Sequence, residues 1–368
     1  LINTHTHSAM TLLRGYADDL PLKTWLEDKI WPIENKLNKK DIYWGSLFAI
    51  MEMIKTGTTT FMDMYFQMDE VGKAVKKSGI RAVLSETLIE NNDGLEGLTK
   101  AKTFSKKWNN NANGRITTML APHAPYTCSP NYIEKITDIS LELDLPVAIH
   151  LAETKTEIET ISNKYNSSPV ELLNEIGLLE RPLLAAHAVH VNDNDIQIMK
   201  EKNINIAYNP MSNMKLGSGI APISKMLKKG IKVGIGTDGV ASNNNLDLVE
   251  EARVGSYLQK VDQLNPTVID IYQILKMLTI NGAHLLNINN LGQIKPNYKA
   301  DIILINLKDN TSFYPHYNNL SNYFYANNGY STKSVIINGN IIMENNEILT
   351  LDEEVILNEI KQRAQRLS

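Results

Sequence analysis

Two histidines near the start of the chain are spaced so that both could bind one metal ion. They stand in Thr4-His5-Thr6-His7, and residues two apart in a β-strand point to the same side. Two imidazoles on one face of a strand can chelate a single metal ion. Taken alone, this pattern is weak evidence, because a pair of surface histidines satisfies it equally well.

Further polar side chains follow later apolar runs and strengthen the prediction of a metal site. His150 ends one run and is followed three residues later by Glu153, His187 ends the next run, and Asp238 follows the last one. A set of imidazoles with one carboxylate suits zinc or ferrous iron in a catalytic site that keeps one position open for water. We therefore expect one cavity to gather these side chains.

The elements that must position these residues alternate in type. Short β-branched apolar runs alternate with helical patterns up to about residue 290, which predicts βαβ units and a parallel sheet. The residues before His5 complete a set of eight strands, as in a (β/α)8 TIM barrel, where active sites lie at the C-terminal strand ends. The later strands are predicted at Thr58–Met62, Arg81–Ser85, Ile116–Leu120, Pro146–Ile149, Leu183–Ala186, Ile204–Ala207 and Lys232–Gly236, and helices at Asp41–Lys55, Pro130–Leu143, Asp193–Lys202 and Leu246–Gln259.

The character of the sequence changes after residue 290. The patterns predict strands at 292–294, 300–305 and 334–342, with a hairpin turn at Asn338-Gly339 in the last of these segments. A closing helix is predicted over Asp352–Arg366, because acidic residues begin it and basic residues end it.

Composition excludes several classes of function. The 368 residues include 37 Lys and Arg against 41 Asp and Glu, a net charge of −4 that argues against a nucleic-acid partner. No apolar run reaches the ~18 residues of a membrane span. The single cysteine, Cys128, excludes a disulfide framework and predicts the reducing cytoplasm. We expect no nucleic-acid or membrane partner, while a homo-oligomer stays open.

The motifs around these residues resemble one superfamily over the whole chain. They are Asn3-Thr4-His5-Thr6-His7, Leu13-Arg14-Gly15, Trp25-Leu26, Trp31-Pro32-Ile33-Glu34, Pro122-His123-Ala124-Pro125-Tyr126, His150-Leu151-Ala152-Glu153-Thr154, Ala186-His187-Ala188-Val189-His190, Asn209-Pro210-Met211-Ser212-Asn213 and Gly236-Thr237-Asp238-Gly239. The chain resembles the amidohydrolase superfamily, and within it the 5-methylthioadenosine/S-adenosylhomocysteine deaminases and their triazine-hydrolase relatives.

The resemblance implies a metal centre and a domain organisation. The metal would be one divalent ion, zinc in the first place and iron as the alternative, held by His5, His7, His150 and Asp238. The chain would divide into a metal-dependent hydrolase barrel over 1–290, the C-terminal part of a composite β-domain over 291–350 and a C-terminal helix over 351–368.

The resemblance also implies hydrolytic deamination of an adenosine-type nucleoside to the inosine-type product and ammonia. Asp238 would take a proton from a metal-activated water, Glu153 would protonate the purine ring nitrogen, and His187 would orient the attacking oxygen or polarise the tetrahedral centre. The same resemblance assigns substrate contacts to Trp25, Glu34, His123, Glu153 and Asp238.

Those contacts have a physical basis and one competing interpretation. Trp25 would line the pocket of the base and the sugar, although a core aromatic on a helix explains it as well. Glu34 would bind the ribose diol through its two acceptor oxygens, and His123 would contact the ring or the leaving group.

The chain departs from the resemblance at two positions. Glu86 and Leu98 stand where relatives that accept S-adenosylhomocysteine carry arginines for its carboxylate. Because Glu86 would repel that carboxylate, we expect a preference for 5′-methylthioadenosine or adenosine.

Two other functions stay open at this point. One is a related aminohydrolase or chlorohydrolase that acts on guanine, a pterin or a triazine. The other is a non-catalytic scaffold of the same fold, which the full set of ligand residue types disfavours.

The start of the sequence carries a further expectation. The chain begins at Leu1, which leaves four residues before His5, fewer than a typical strand of ~5–6 residues. We expect an N-terminal β-segment to be missing. If the numbered chain were whole, its first strand would be frayed and metal binding weak.

Overall fold

The computed structural model describes residues 1–367, and the side chains of all of these except Lys23 and Asp93. The β-strands of this part are β1 (Ile2–Thr6), β2 (Thr60–Tyr65), β3 (Arg81–Leu88), β4 (Ile116–Thr118), β5 (Ala121–Pro122), β6 (Val147–Leu151), β7 (Leu183–His187), β8 (Asn205–Tyr208), β9 (Val233–Ile235), β10 (Ile302–Ile305), β11 (Thr332–Ile337), β12 (Asn340–Glu344) and β13 (Glu347–Ile348).

Helices of varied length connect these strands. They are α1 (Leu22–Thr24), α2 (Trp31–Glu34), α3 (Lys39–Lys55), α4 (Met68–Ser78), α5 (Glu90–Trp108), α6 (Asn111–Gly114), α7 (Pro130–Leu143), α8 (Lys155–Tyr165), α9 (Pro169–Glu175), α10 (Asp193–Glu201), α11 (Pro210–Lys215), α12 (Ile223–Lys228), α13 (Val240–Asn243), α14 (Leu248–Asp262), α15 (Ile271–Leu278), α16 (Ile280–Leu285), α17 (Asn319–Tyr325) and α18 (Glu353–Leu367). A π-helical stretch, Trp25–Ile30, joins α1 to α2, and 3₁₀ turns occur at Ser8–Leu13, Leu178–Glu180, Thr311–Phe313 and Gly329–Ser331.

The first nine strands form two parallel sheets that meet at both edges. One sheet has the order β1-β2-β3-β4 with β5 beside β3, and the other has the order β6-β7-β8-β9. Backbone bonds join the first sheet to β6, from Leu120 N to the Pro146 carbonyl and from Ala148 N to the Leu120 carbonyl. Another joins Asp238, after β9, to the His5 carbonyl of β1 at 3.0 Å. The fold is mixed α/β with parallel sheets.

The predicted strands of this part occur close to their expected positions. Strand β1 is buried along its length and pairs in parallel with β2, so the strand leading to the first two histidines is formed rather than frayed. The strand predicted at Ile116–Leu120 is divided into β4 and β5, with Leu120 bridging to Val147 of β6.

The last four strands form a separate antiparallel sheet in the order β10-β11-β12-β13. The predicted turn is present, because Asn338 and Gly339 connect β11 to β12 with φ angles of 53° and 80°, as a two-residue hairpin of type I′ requires. The strand predicted at 292–294 is absent from this sheet. Gly292 has a φ of 82°, and this left-handed conformation is incompatible with an extended strand.

Buried apolar side chains fill the space on both faces of the parallel sheets. Those inside, such as Met62, Val83 and Ala186, pack against one another, while larger clusters lie between the sheets and the helices. Within residues 1–367, none of the helices combines the length and apolar character needed to cross a lipid bilayer.

Candidate active site

A carboxylate on the neighbouring strand fixes the backbone around the first two histidines. Asp63 of β2 accepts hydrogen bonds from the Ser8 backbone N–H at 2.6 Å, the Ser8 hydroxyl at 2.6 Å and the Thr6 hydroxyl at 2.8 Å. Burial raises the pKa of Asp63, and these bonds oppose the rise. Because the bonds come from residues on either side of His7, they fix the backbone from which it projects.

Five side chains meet where β1, β6, β7 and β9 end. Asp238 Oδ1 lies 3.2 Å from His7 Nε2 and 3.6 Å from His5 Nε2. His150 Nε2 lies 3.4 Å from His7 Nε2. Two overlapping groups have ligand atoms within 4.8 Å of one another, His5 with His150 and His187, and His5 with His7 and Asp238. The structure brings the four predicted metal ligands together and adds His187 to their group.

Backbone carbonyl groups orient two of these imidazoles. His7 Nδ1 lies 2.5 Å from the Met64 carbonyl oxygen and His150 Nδ1 lies 2.8 Å from that of His123. When Nδ1–H donates to a carbonyl, the Nε2 lone pair is left free for a metal ion. Both Nε2 atoms point into the cluster.

Asp238 and His187 are held by residues of two short helices, α11 and α13. Asp238 Oδ2 accepts from the hydroxyls of Ser212 at 2.6 Å and Ser242 at 3.0 Å, and His187 Nδ1 lies 2.8 Å from Asn213 Oδ1. His187 and Asp238 have φ angles of 73° and 62°. Such left-handed backbone is costly for residues other than glycine and is concentrated at functional sites.

Burial and close charges displace the pKa values in this cluster. Burial lowers the pKa of His5 and of His150, and neighbouring histidines lower both further. Burial alone would also lower the pKa of His7, but the hydrogen bond and charge of Asp238 raise it to about 9. Burial would raise the pKa of Asp238, but His7 holds it well below the usual range. The Asp238 carboxylate is therefore ionised beside the neighbouring imidazoles.

Glu153 stands beside the cluster on a backbone turn that a second glutamate fixes. Its Oε2 lies 3.9 Å from His187 Nε2, and its Oε1 accepts from the Ser218 hydroxyl at 3.4 Å. The Glu157 carboxylate accepts from the backbone N–H groups of Ala152 at 2.8 Å and Glu153 at 2.9 Å. Burial raises the pKa of Glu153 and raises that of Glu157 to about 7.

His190, the near neighbour of His187, lies outside the pocket wall. Its Nε2 lies 2.7 Å from the Ser218 carbonyl oxygen, and Ser218 is the residue whose hydroxyl bonds Glu153. His190 therefore contacts the backbone of the residue that bonds Glu153 and does not line the pocket.

A pocket of about 710 Å³, a volume that includes space open to solvent, leads to the cluster. Every residue predicted to contact substrate lines it: Trp25, Glu34, His123, Glu153 and Asp238. Burial raises the pKa of Glu34 to about 7 and lowers that of His123 to about 4. Trp25 also packs in the core and donates its Nε1–H to the Ala17 carbonyl at 3.0 Å, so both interpretations of this residue apply.

Glu86 and Leu98, the two positions at which the chain departs from the resemblance, lie elsewhere. The Glu86 carboxylate accepts from the backbone N–H groups of Gln67 at 3.1 Å and Met68 at 3.0 Å and pairs with Lys100. Leu98 is buried in the core. Neither side chain lines the main pocket, so the expectation that Glu86 would repel a substrate carboxylate is wrong. Backbone N–H groups at the N-terminus of α4 stabilise the charge of Glu86 instead.

The pocket also contains residues that the sequence reasoning did not select. Trp31 and Tyr126 line it from within motifs already recognised, so their motifs could have identified them. Tyr65 lines it at the end of β2, where no motif pointed to it. Ser212 and Ser242 become relevant only through their bonds to Asp238.

Comparisons with known proteins show what the chain is similar to. A model of the Amidohydrolase family matches residues 1–342. A Halothermothrix orenii protein named 5-methylthioadenosine/S-adenosylhomocysteine deaminase is 57% identical over 366 residues, covering 100% of this chain and 85% of that protein. A crystal structure of an adenosine deaminase from Xanthomonas campestris with bound zinc has a TM-score of 0.96 at 31% identity, covering 100% of this chain and 84% of that one. A zinc-complexed atrazine chlorohydrolase from Arthrobacter aurescens has a TM-score of 0.92 at 21% identity, covering 99% and 87%, a likeness of fold alone.

Proposed function

The chain belongs to the amidohydrolase family, and from that premise we propose that it hydrolytically deaminates adenosine-type nucleosides. The substrates would be 5′-methylthioadenosine, adenosine or S-adenosylhomocysteine, and the products the inosine-type nucleoside and ammonia. One observation carries the proposal. Glu153 faces His187 beside the histidine and Asp238 cluster, in the same pocket that Trp25 and Glu34 line.

The residues of the cluster fit a single divalent metal ion, which we propose is zinc, with iron as the alternative. His5 Nε2 is buried and has no hydrogen-bond partner in the described part of the chain. His7, His150 and Asp238 direct Nε2 or Oδ1 atoms at the same place. Three imidazole nitrogens and one carboxylate oxygen are typical zinc ligands. When bound, such an ion acts as a Lewis acid that makes water a better nucleophile near neutral pH.

The surrounding side chains supply the proton transfers. Burial raises the pKa of Glu153, which favours a protonated carboxyl group that can donate to the purine ring nitrogen beside the attacked carbon. Asp238 is charged, and its Oδ1 accepts the water proton because serine hydroxyls occupy Oδ2. With Nδ1 directed at Asn213, His187 presents Nε2 to the reacting oxygen.

Three further residues would bind the nucleoside. Trp25 would pack against the base and sugar, Glu34 would accept from the ribose hydroxyls, and His123 would lie near the ring or leaving group. The preference for 5′-methylthioadenosine or adenosine stays a prediction, now supported by the aliphatic side chains in the pocket wall, among them Leu22, Leu26, Ile30, Ile89 and Leu216.

We propose that the two parallel sheets form one (β/α)8 barrel within residues 1–290, with β4 and β5 as its divided fourth strand. The backbone bonds at both sheet edges support this closure. Residues 291–350, which contain β10–β13, would be the C-terminal part of a composite β-domain, and residues 351–368 the terminal helix. A cytoplasmic location and a homo-oligomer stay predictions.

A substrate panel with and without a chelator tests the function. The ultraviolet absorbance change on deamination is measured with 5′-methylthioadenosine, adenosine, S-adenosylhomocysteine and guanine. We expect turnover of the nucleosides, its loss on chelation and its return with added zinc. Consumption of guanine or a triazine alone would favour the related hydrolases, and no turnover with no bound metal would favour a scaffold.

A further inference from the structure

Tyr65 connects a rigid strand to the carboxylate at the pocket wall. It is the last residue of β2 and is buried. Its hydroxyl donates a hydrogen bond to Oε1 of Glu34, which ends α2. Both residues line the main pocket. Because this contact joins residues 31 apart in sequence, it depends on the tertiary structure.

We propose that Tyr65 is a positioning residue that holds the Glu34 carboxylate for the vicinal hydroxyl groups of a ribose, and thereby selects ribonucleosides over dideoxynucleosides. The inference rests on the proposed function, because it assumes that a nucleoside occupies the pocket. It adds the residue that makes Glu34 selective.

The geometry of the contact supports this role. A carboxylate offers about four acceptor sites on its two oxygens. The Tyr65 hydroxyl uses one of them on Oε1, so the remaining sites are available to two sugar hydroxyls. Strand β2 is paired on both sides, by β1 and by β3. The sheet therefore holds Tyr65 in place, and its hydrogen bond fixes the position of Glu34, which lies on a short helix.

The electrostatics point the same way. Burial raises the pKa of Glu34 to about 7, and the Tyr65 hydrogen bond limits that rise. Burial and the charge of Glu34 raise the pKa of Tyr65 well above its usual value. Tyr65 therefore remains a hydrogen-bond donor, and its bond favours the ionised form of Glu34 that accepts from a diol.

The test compares adenosine with 2′,3′-dideoxyadenosine, which lacks both ribose hydroxyls, in the metal-loaded enzyme. In Tyr65→Phe we expect KM for adenosine to rise about tenfold with little change in kcat, because a hydrogen bond to a charged group is lost. KM for the dideoxynucleoside should stay within about twofold, within the typical spread for unaffected contacts.

Glu34→Gln and Tyr132→Phe complete the design. Glu34→Gln should reduce the preference for adenosine over the dideoxynucleoside. The double variant Tyr65→Phe/Glu34→Gln should reduce this preference little further. Tyr132→Phe is the matched control, since its buried hydroxyl donates to the Gly94 carbonyl at 2.9 Å outside the main pocket. It should leave the preference unchanged.

The ratio of kcat/KM between the two substrates is independent of the fraction of folded enzyme, so partial misfolding does not obscure the result. An equal loss for both substrates in Tyr65→Phe would overturn the inference while the proposed function stands. An unchanged ratio in Glu34→Gln would overturn it even if Tyr65→Phe failed to fold. A wild-type enzyme that deaminates neither nucleoside, nor 5′-methylthioadenosine, would instead overturn the proposed function.

Discussion

Glu153 and Asp238 are two carboxyl groups of one pocket whose surroundings displace their pKa values in opposite directions. Burial raises the pKa of Glu153, whereas His7 lowers that of Asp238 despite burial. Two carboxyl groups whose pKa values are shifted apart in this way can act as acid and as base at the same pH. The structure therefore supports the division of roles that we propose, with Glu153 as proton donor.

Replacing Glu153 tests this division. We expect Glu153→Gln to lower kcat by about 10²-fold or more, because a positioned general acid contributes about 10²–10⁴-fold. The metal content, measured by elemental analysis, should remain that of the wild type.

The matched control is Glu159→Gln on the exposed face of α8, which should keep wild-type turnover. Wild-type kcat in Glu153→Gln would remove Glu153 from the mechanism.

At the scale of elements, the C-terminal helix α18 is docked on the start of α3. Asp41 caps α3 together with Asn38, and its buried carboxylate also pairs with Arg363 at 3.1 Å and with Arg366. The Asp41 carboxylate therefore has two roles. It caps the N-terminus of α3, where negative charge is favourable, and it binds two arginines of α18. The sequence predicted α18 but contained no signal for its partner.

We expect Asp41→Asn to lower the free energy of unfolding by about 2 kcal/mol, because it removes the charged acceptor that Arg363 and Arg366 share, while Arg363 keeps its pair with Glu359. Chemical denaturation measures the change. The control is Glu353→Gln, which removes the partly exposed Lys55–Glu353 pair between the same two helices and should cost at most about 1 kcal/mol. Equal effects of the two changes would show that Asp41 has no special part in docking α18.

At the scale of the whole molecule, a buried ion pair joins the parallel sheets to the antiparallel sheet. Arg81, the first residue of β3, donates to both oxygens of Asp301 at 2.8 and 2.9 Å, and both side chains are 1% exposed. Asp301 precedes β10 and also accepts from the Asn338 backbone N–H. Asp301 therefore binds both Arg81 of the parallel sheets and the turn of the antiparallel hairpin.

Arg81→Lys should lower the free energy of unfolding by about 3 kcal/mol or more, since lysine cannot reproduce the two-point contact and Asp301 would stay buried. Thermal and chemical denaturation measure it. Lys102→Gln at the exposed Lys102–Glu142 pair is the control, with an expected change of at most about 1 kcal/mol. A similar small change in Arg81→Lys would contradict a joining role for this pair.

Local patterns were sufficient for much of this protein. Alternating apolar runs predicted the parallel strands, and the motifs indicated the residues gathered in the pocket. The prediction failed at 292–294, because a single left-handed backbone angle at Gly292 prevents a strand that its apolar neighbours suggested. It also failed for Glu86, whose carboxylate turns toward backbone N–H groups rather than the pocket.

The sequence by itself determined which residues stand at the ends of parallel strands, because side-chain periodicity is a local property of the chain. Only the tertiary structure decided how those residues are held. The contacts of Asp63 with Ser8, of Ser212 with Asp238 and of Tyr65 with Glu34 join distant segments. Their formation depends on how strands pack and on the backbone angles of a few residues after each strand, which no local pattern specifies.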